Sequence, residues 1–306
     1  MSELGFERLV LKANTLEATV LPALGGKVAS LRYEGVELLQ GPLREFALRT
    51  PDMRFEDSDA SGFDECLPTV AACSVGAAVL PDHGEFWQLP CAVEQDSERE
   101  VRLTATGRVY PLRLERRLTV EGSTLRVDYR LENVGDVATP YLWSAHPSLV
   151  VDAGDVIVLP ESVKELTVEG SAHMRLGPKG GVVKWPVAEM PGGGRVNLSH
   201  AGKPTDEVGD KVFAAPSEGW AAVERRRAGV RVKVKFDADV IPYLGLWLCY
   251  GGWPEGLANR QQCVGLEPCT APVDSLAEAL ERGWARELAA GQVAHWWMTI
   301  AVSALS

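Results

Sequence analysis

Apolar and polar side chains alternate along much of the chain. In the segment GVRVKVKF, residues 229–236, valines and a phenylalanine occupy every second position and charged residues occupy the positions between them. Successive side chains of a β-strand point to opposite faces of the sheet, so this alternation predicts a strand with one buried and one solvated face. Sheets built from such strands are typically antiparallel.

A second alternating region predicts a hairpin. The segments LERRLTV, residues 114–120, and LRVDYRLENVG, residues 125–135, keep the same two-residue period. Between them Glu121, Gly122 and Ser123 supply the residues of a turn. The apolar positions that would share the buried face of this antiparallel pair are Leu118, Val120, Leu125, Val127, Tyr129 and Leu131.

Signals for helices are few. The best is DSLAEALERG, residues 274–283, where Ser275 and Glu278 have the spacing of a capping box and Gly283 ends the element. Thirty glycines and nineteen prolines are spread along the chain, as expected for many short strands and loops. We therefore predict an all-β fold, a large antiparallel β-sandwich with a few short helices. The PGGGR stretch at 191–195 is interpreted as a long loop, which leaves one domain over residues 1–306.

The charge balance argues against a nucleic-acid partner. The chain carries 31 basic and 42 acidic residues, and its densest basic run is only Arg225 to Arg227. No apolar stretch reaches the roughly 18 residues that a membrane-spanning helix needs, and the N-terminus lacks the pattern of a secretion signal. These features predict a cytoplasmic protein with no membrane partner, and they leave its oligomeric state open.

The six cysteines are scattered and form no CxxC pair. This spacing is poor support for a zinc site or a disulfide framework, so buried thiols in a reducing compartment are expected. We predict no metal.

Three polar clusters stand in apolar or turn-rich surroundings: PDHGEFW (81–87), SAHPSL (144–149) and VGLEPCTAP (264–272). Glu267 follows an apolar run and precedes a proline, which suggests a carboxylate at a strand end. Burial there would raise its pKa and suit a general base. Taken singly, a histidine beside proline is more often a hydrogen-bonded packing residue, and a Glu-Pro pair at a strand end is usually a turn.

In their order and spacing these clusters resemble the galactose mutarotase-like superfamily, which includes the aldose 1-epimerases and their hexose-6-phosphate relatives. Matching segments run along nearly the whole chain: LPALGGKVASLRY, HGEFW, SAHPSL, GDKVF, LGLWLCYGGWP, GLEPCTAP and ELAAGQVAHWWMTIAV. The resemblance implies a twisted antiparallel sandwich that binds a hexose in a groove on one sheet. It implies no metal and no organic cofactor.

The resemblance also assigns roles to residues. His146 would be the acid and Glu267 the base, while His83 and Asp210 would bind sugar hydroxyls. Trp247, or Trp253, could offer a flat apolar face to the sugar ring. Anomer interconversion suits this set, because one proton must leave the C1 hydroxyl while another reaches the ring oxygen, and one base and one acid suffice.

Two positions depart from the family pattern. Aldose 1-epimerases usually carry an arginine where this chain reads SGFDECLPTV, residues 61–70, and Lys211 stands where galactose mutarotases have a histidine. We expect Asp64 or Glu65 to bind hydroxyls of a neutral hexose, since two carboxylates would repel a phosphate.

Other functions stay open at this point. One is a carbohydrate-binding protein without turnover, which the missing arginine permits. Another is a hexose-6-phosphate 1-epimerase, for which nearby cations could fold over the site: Arg32, Arg44, Arg49 and Arg54. A polysaccharide lyase or hydrolase is a weaker possibility, since neither an extra helical domain nor an export signal is apparent.

Overall fold

Strands dominate the structure. The computed structural model describes residues 5–305, apart from the side chain of Asp96; residues 1–4 and 306 of the predicted domain lie outside it. The strands are β1 Leu9–Lys12, β2 Leu16–Leu21, β3 Lys27–Tyr33, β4 Val36–Glu37, β5 Phe63–Cys66, β6 Cys73–Val75, β7 Ala78–Leu80, β8 Ala92–Ser97, β9 Glu100–Thr106, β10 Leu112–Glu121, β11 Thr124–Asn133, β12 Thr139–Tyr141, β13 Ser144–Val150, β14 Val156–Val158, β15 Glu165–Ser171, β16 Val182–Lys184, β17 Val187–Glu189, β18 Arg195–Asn197, β19 Val208–Ala214, β20 Trp220–Arg225, β21 Val230–Phe236, β22 Tyr243–Tyr250, β23 Gln262–Cys269, β24 Arg286–Leu288 and β25 Val293–Ala304. The helical elements are one α-helix, α1 Leu276–Glu281, and four 3₁₀ turns at Phe55–Asp57, Phe86–Gln88, Ala172–Met174 and Pro204–Asp206.

Two large antiparallel sheets form the sandwich. The first runs in the order β1-β2-β3-β5-β13-β23-β22-β19-β15-β16, with β4 paired to β3, and the second runs β14-β20-β21-β25-β11-β10-β9-β8. Buried hydrophobic residues of both sheets form one continuous core between them. The predicted fold class is confirmed, whereas the single-domain boundary stays a prediction.

The local sequence signals correspond to observed elements. Strand β21 alternates between buried and more exposed positions, and β10 pairs with β11 with Leu118 opposite Val127. The turn between β10 and β11 is formed by Gly122 and Ser123 alone, and Gly122 adopts φ +56°, which glycine tolerates without strain.

The predicted helix is present as α1, with one of the two hydrogen bonds of the predicted capping box. The Ser275 hydroxyl caps α1 by accepting a hydrogen bond from the backbone N–H of Glu278. The PGGGR stretch differs from the prediction of a long loop, because it closes a short hairpin between β17 and β18. No helix in the described part of the chain is both long and apolar enough to cross a lipid bilayer.

A buried carboxylate ties the two sheets together. Glu65, on β5, accepts hydrogen bonds from Tyr129 and Arg116 of the opposite sheet at 2.9 and 3.1 Å. Its second oxygen accepts one from the indole N–H of Trp143 at 2.9 Å. Burial raises the pKa of Glu65 above its ordinary value, and the charge of Arg116 with these hydrogen bonds offsets part of that cost.

Removing the cation of this pair should destabilise the protein. Arg116→Met leaves the Glu65 carboxylate buried without its counter-charge, so we expect the free energy of unfolding to fall by about 3 kcal/mol in urea titrations. Arg113→Met is the matched control, since Arg113 lies on the same strand in a partly exposed pair with Glu132 and should cost at most about 1 kcal/mol. Equal losses in the two variants would contradict a structural role for the buried pair.

Candidate active site

A cavity of about 580 Å³ opens on the face of the first sheet that lies away from the second sheet. This volume is in the range of small-molecule sites. Residues from separate parts of the chain line it, including Phe55, His83, His146, Lys211, Trp247 and Asp274. The cavity therefore gathers side chains from β13, β19 and β22 with those of the loops above them.

Strand register brings the two predicted catalytic residues together. In the pairing of β13 with β23, Ser144 lies opposite Cys269 and Ser148 lies opposite Gly265, which places His146 directly opposite Glu267. Directly paired residues of an antiparallel sheet have side chains in contact on one face. Nδ1 of His146 lies 2.9 Å from Oε1 of Glu267.

Lys211 is the third member of this charged group. Its ammonium donates a hydrogen bond to Oε2 of Glu267 and lies 3.7 Å from Oδ1 of Asp274. Gly245 leaves room for it, because a Cβ there would come within 3.3 Å of both Lys211 and Glu267. The Glu267 side chain is only 1% exposed, so it lies beneath His146 and Lys211, which face the cavity.

The electrostatics of Glu267 differ from the prediction that burial would raise its pKa. Burial does oppose the charged carboxylate, but the positive charges of Lys211 and His146 outweigh it and lower the pKa of Glu267 from 4.5 to about 2. Burial likewise opposes the charge of Lys211, yet Asp274 and Glu267 raise the pKa of that amine. At neutral pH Glu267 is thus ionised and Lys211 is protonated.

His83 is held in the cavity wall by a tight turn. It adopts φ +60°, and the following Gly84 adopts φ +69° with its Cα so close to Leu67 that a Cβ would lie 2.1 Å from the Leu67 carbonyl oxygen. The Phe55 ring stacks on the imidazole at 3.8 Å. The ring of His83 lies 5.3 Å from that of His146, so the two histidines are neighbours.

An aromatic wall completes the cavity. Trp247 lines it, as the predicted sugar-stacking role requires, and its indole N–H donates to the side-chain carbonyl of Gln261 at 2.8 Å. Gln261 in turn donates to the carbonyl of Ala60 at 2.9 Å. Trp253 stands edge-on to Trp247, with ring centres 6.3 Å apart. Contact of Trp247 with a sugar stays a prediction.

Two predicted sugar ligands point away from the cavity. Glu65 faces the opposite sheet, and its oxygens are occupied in the network described above. Asp210 is fully buried and accepts hydrogen bonds from Ser171 at 2.6 Å and from Arg175. The physical reason is strand alternation: Lys211 faces the cavity, so its neighbour Asp210 faces the other way.

Asp64 shares the cavity side of the sheet but is not available to a ligand. It is ion-paired with Lys27 and Arg49, each at 2.8 Å, in a cluster that also contains Asp59. These side chains are at most 1% exposed. The cluster anchors the loop over residues 49–61, which forms one rim of the cavity.

The other arginines considered for phosphate binding are also paired. Arg54 lines the cavity, but its guanidinium lies 2.7 Å from Glu56 and 2.8 Å from Asp57. Arg32 pairs with Glu37, and Arg44 donates to the carbonyl of Glu56.

Lys211, Asp274, Phe55 and Gln261 are among the cavity residues that sequence reasoning missed. Lys211 was noted as a departure from the family pattern but not as a partner of Glu267. Asp274 was treated only as the start of a helix motif. Phe55 and Gln261 carry no local signal, because their positions depend on how the loops fold over the sheet.

A glycine beneath the site should be intolerant of a side chain. A Cβ at Gly265 would lie 2.6 Å from Oε1 of Glu267 and 3.0 Å from Cβ of Trp247. We expect Gly265→Ala to lower the free energy of unfolding by about 1–3 kcal/mol in urea titrations. Gly170→Ala is the control, because that strand position has no atom within 4 Å of a new Cβ; a comparable loss there would contradict the steric explanation.

Comparisons with known proteins agree on the fold. No protein-family model matches the sequence, and a search of curated proteins finds no match. Among solved structures, the Slr1438 protein from Synechocystis sp. PCC 6803 superposes with a TM-score of 0.71 at 17% identity, covering 99% of this chain and 100% of that one.

Two further structures carry more descriptive names. A galactose mutarotase-like protein from Lactobacillus casei has a TM-score of 0.64 at 17% identity, covering 97% of this chain and 100% of its own. A galactose mutarotase related enzyme from Lactobacillus acidophilus has a TM-score of 0.69 at 12% identity, with 98% of each chain covered. The chain therefore has the galactose mutarotase-like fold, which confirms the resemblance at the level of structure.

Proposed function

We propose that the protein binds a free aldohexose in this cavity and interconverts its α and β anomers. The observation that carries the proposal is the meeting of His146 and Glu267 at the cavity floor, 2.9 Å apart, from strands that the register places side by side. A single acid and a single base are what ring opening at C1 needs, and a cavity of this size accommodates a hexose.

The chemistry divides between the two residues. Glu267 takes the proton of the C1 hydroxyl while protonated His146 gives a proton to the ring oxygen, so the C1–O5 bond breaks and an aldehyde forms. Rotation about C1–C2 exposes the other carbonyl face, and the two proton transfers reverse on closure. Acid/base assistance of this kind typically contributes about 10² to 10⁴-fold per group.

Access to Glu267 requires a movement of Lys211. The ammonium covers Oε2 of the carboxylate, and a buried cation left without a partner would be costly. Asp274, 3.7 Å away and also in the cavity wall, offers that partner. In the complex, Lys211 shifts toward Asp274 and the sugar C1 hydroxyl takes its place on Glu267.

The charges of the cavity favour a neutral sugar. Arg54 and Lys211 are the basic side chains in its lining, and both are already paired with carboxylates. A dianionic phosphate would have to displace those partners, and Asp52, Glu56 and Asp82 in the lining would repel it. A hexose 6-phosphate is therefore the weaker substrate candidate.

A second function is sugar binding without turnover. The observation that favours it is the burial of Glu267: Lys211 and His146 cover the carboxylate, and its side chain is only 1% exposed. If Lys211 did not leave the carboxylate, the cavity and its tryptophans would still present a sugar-binding surface.

Polarimetry separates the two functions. Freshly dissolved α-glucose or α-galactose should relax faster with the protein, and Glu267→Gln and His146→Asn should each lower that acceleration at least about 100-fold, because each removes one proton-transfer group. Calorimetry on the same samples reports binding. Sugar binding with relaxation at the buffer rate would refute turnover and support the second function.

The pH profile tests the role of Lys211. Lys211→Met removes the charge that opposes the burial of Glu267, so the pKa of Glu267 should rise from about 2. The acid-side fall in kcat/KM, measured by polarimetry, should then occur at higher pH than in the unmodified protein. Lys179→Met is the control, since Lys179 pairs with Glu169 outside the cavity lining and should leave the profile unchanged. An unaltered profile in Lys211→Met would contradict the electrostatic role.

A further inference from the structure

Three donor atoms of types that bind zinc converge at the cavity floor, two of them in its lining and one buried behind it. The sulfur of Cys66 and one ring nitrogen each of His83 and His146 lie within 4.8 Å of one another. We propose that Cys66, His83 and His146 form a binding site for a soft divalent cation such as Zn²⁺. The cysteine spacing gave no sign of it, because the ligands come from three elements distant in sequence.

The fold holds the three side chains toward one point. In the pairing of β13 with β5, His146 lies opposite Asp64 and Ser144 lies opposite Cys66, so Cys66 and His146 share the cavity side of the sheet. His83 reaches them from its tight turn, held by the stacked Phe55 ring. Thiolate and imidazole are the donors that Zn²⁺ prefers, at about 2.3 and 2.0 Å. Those bond lengths imply ligand separations of about 3.5 Å, so the donors need to draw together by about 1 Å.

Both imidazoles lie close to a carboxylate, as metal-binding histidines usually do. Nδ1 of His83 lies 3.0 Å from Asp82, and Nδ1 of His146 lies 2.9 Å from Glu267. In metal-binding histidines a carboxylate commonly lies beside one ring nitrogen, which leaves the other nitrogen for the ion.

The coordination would be incomplete without a further ligand. Three protein donors leave one tetrahedral position, and the two histidines line the cavity, so water or a sugar oxygen would occupy it. Cys66 is fully buried behind them, and its thiol loses its proton to solvent as the ion binds, since the thiolate is the ligand.

A cation bound at this site would also control the anomer interconversion proposed above. A cation on His146 removes the nitrogen that gives a proton to the sugar ring oxygen, so Zn²⁺ should inhibit mutarotation. This consequence rests on the proposed function, whereas binding of the ion does not.

Cobalt titration tests the site without reference to activity. Co²⁺ added to the protein after EDTA dialysis should produce a thiolate-to-cobalt absorption band in the near ultraviolet and the visible bands of tetrahedral Co²⁺, and Zn²⁺ should displace both. Cys66→Ala should abolish the thiolate band. Cys263→Ala is the matched control, because Cys263 is equally buried but lies outside the cluster, and it should retain the band.

Two results of the cobalt titration would overturn the cation site. No thiolate band, or a band that survives in Cys66→Ala, would show that these residues do not bind the ion together. If circular dichroism shows that Cys66→Ala is unfolded, His83→Asn provides the test and should weaken Co²⁺ binding at least 10-fold; unchanged affinity would refute the site. Zn²⁺ binding that leaves mutarotation as fast as in EDTA would overturn the inhibition alone, and absence of mutarotation with binding intact would count against the proposed function only.

Discussion

Alternation of side chains across the central strands is the constraint on which the site depends. In β5, β13, β19 and β23 it sends Cys66, His146, Lys211 and Glu267 to the cavity side. The same rule turns Glu65 and Asp210 to the opposite side, where they meet arginines of the interior and of a neighbouring loop. A slip of one residue in any of these strands would exchange the two sets. The buried apolar face therefore fixes the chemistry of the outer face, because the core can be filled in only one register.

The second constraint is the cost of a buried carboxylate. Glu267 stays ionised beneath the cavity only because Lys211 and His146 flank it, and glycines at 245 and 265 make room for that arrangement. This pairing keeps the carboxylate ready to accept a proton at neutral pH but lowers its strength as a base. A sugar hydroxyl that displaces Lys211 would also remove the main charge that lowers the pKa, so the base would strengthen when substrate is bound.

The sequence predicted the features that depend on local pattern. Three such features were predicted correctly: the alternation in β21, the hairpin at Gly122 and the N-cap at Ser275. Each involves residues close together in the chain. Only the family resemblance predicted that His146 and Glu267 act together, because the two residues lie far apart in the chain. The structure places Glu65 and Asp210 on the side away from the cavity. A sequence motif could not predict this, because it does not show which face of a strand a residue occupies. Sequence alone could not show that Lys211 covers Glu267, since that contact depends on the register of two further strands.

The two roles proposed for His146, as the acid of ring opening and as a ligand of a cation, exclude each other. One ring nitrogen lies 2.9 Å from Glu267, so the other would serve either the sugar ring oxygen or the proposed cation. A neutral imidazole suits the cation, whereas ring opening needs the protonated form, and both occupants would use the same space beside His83. Competition at one nitrogen would thus couple cation binding to the proposed catalysis, and the relative affinities of the cation and the sugar would set the balance between them.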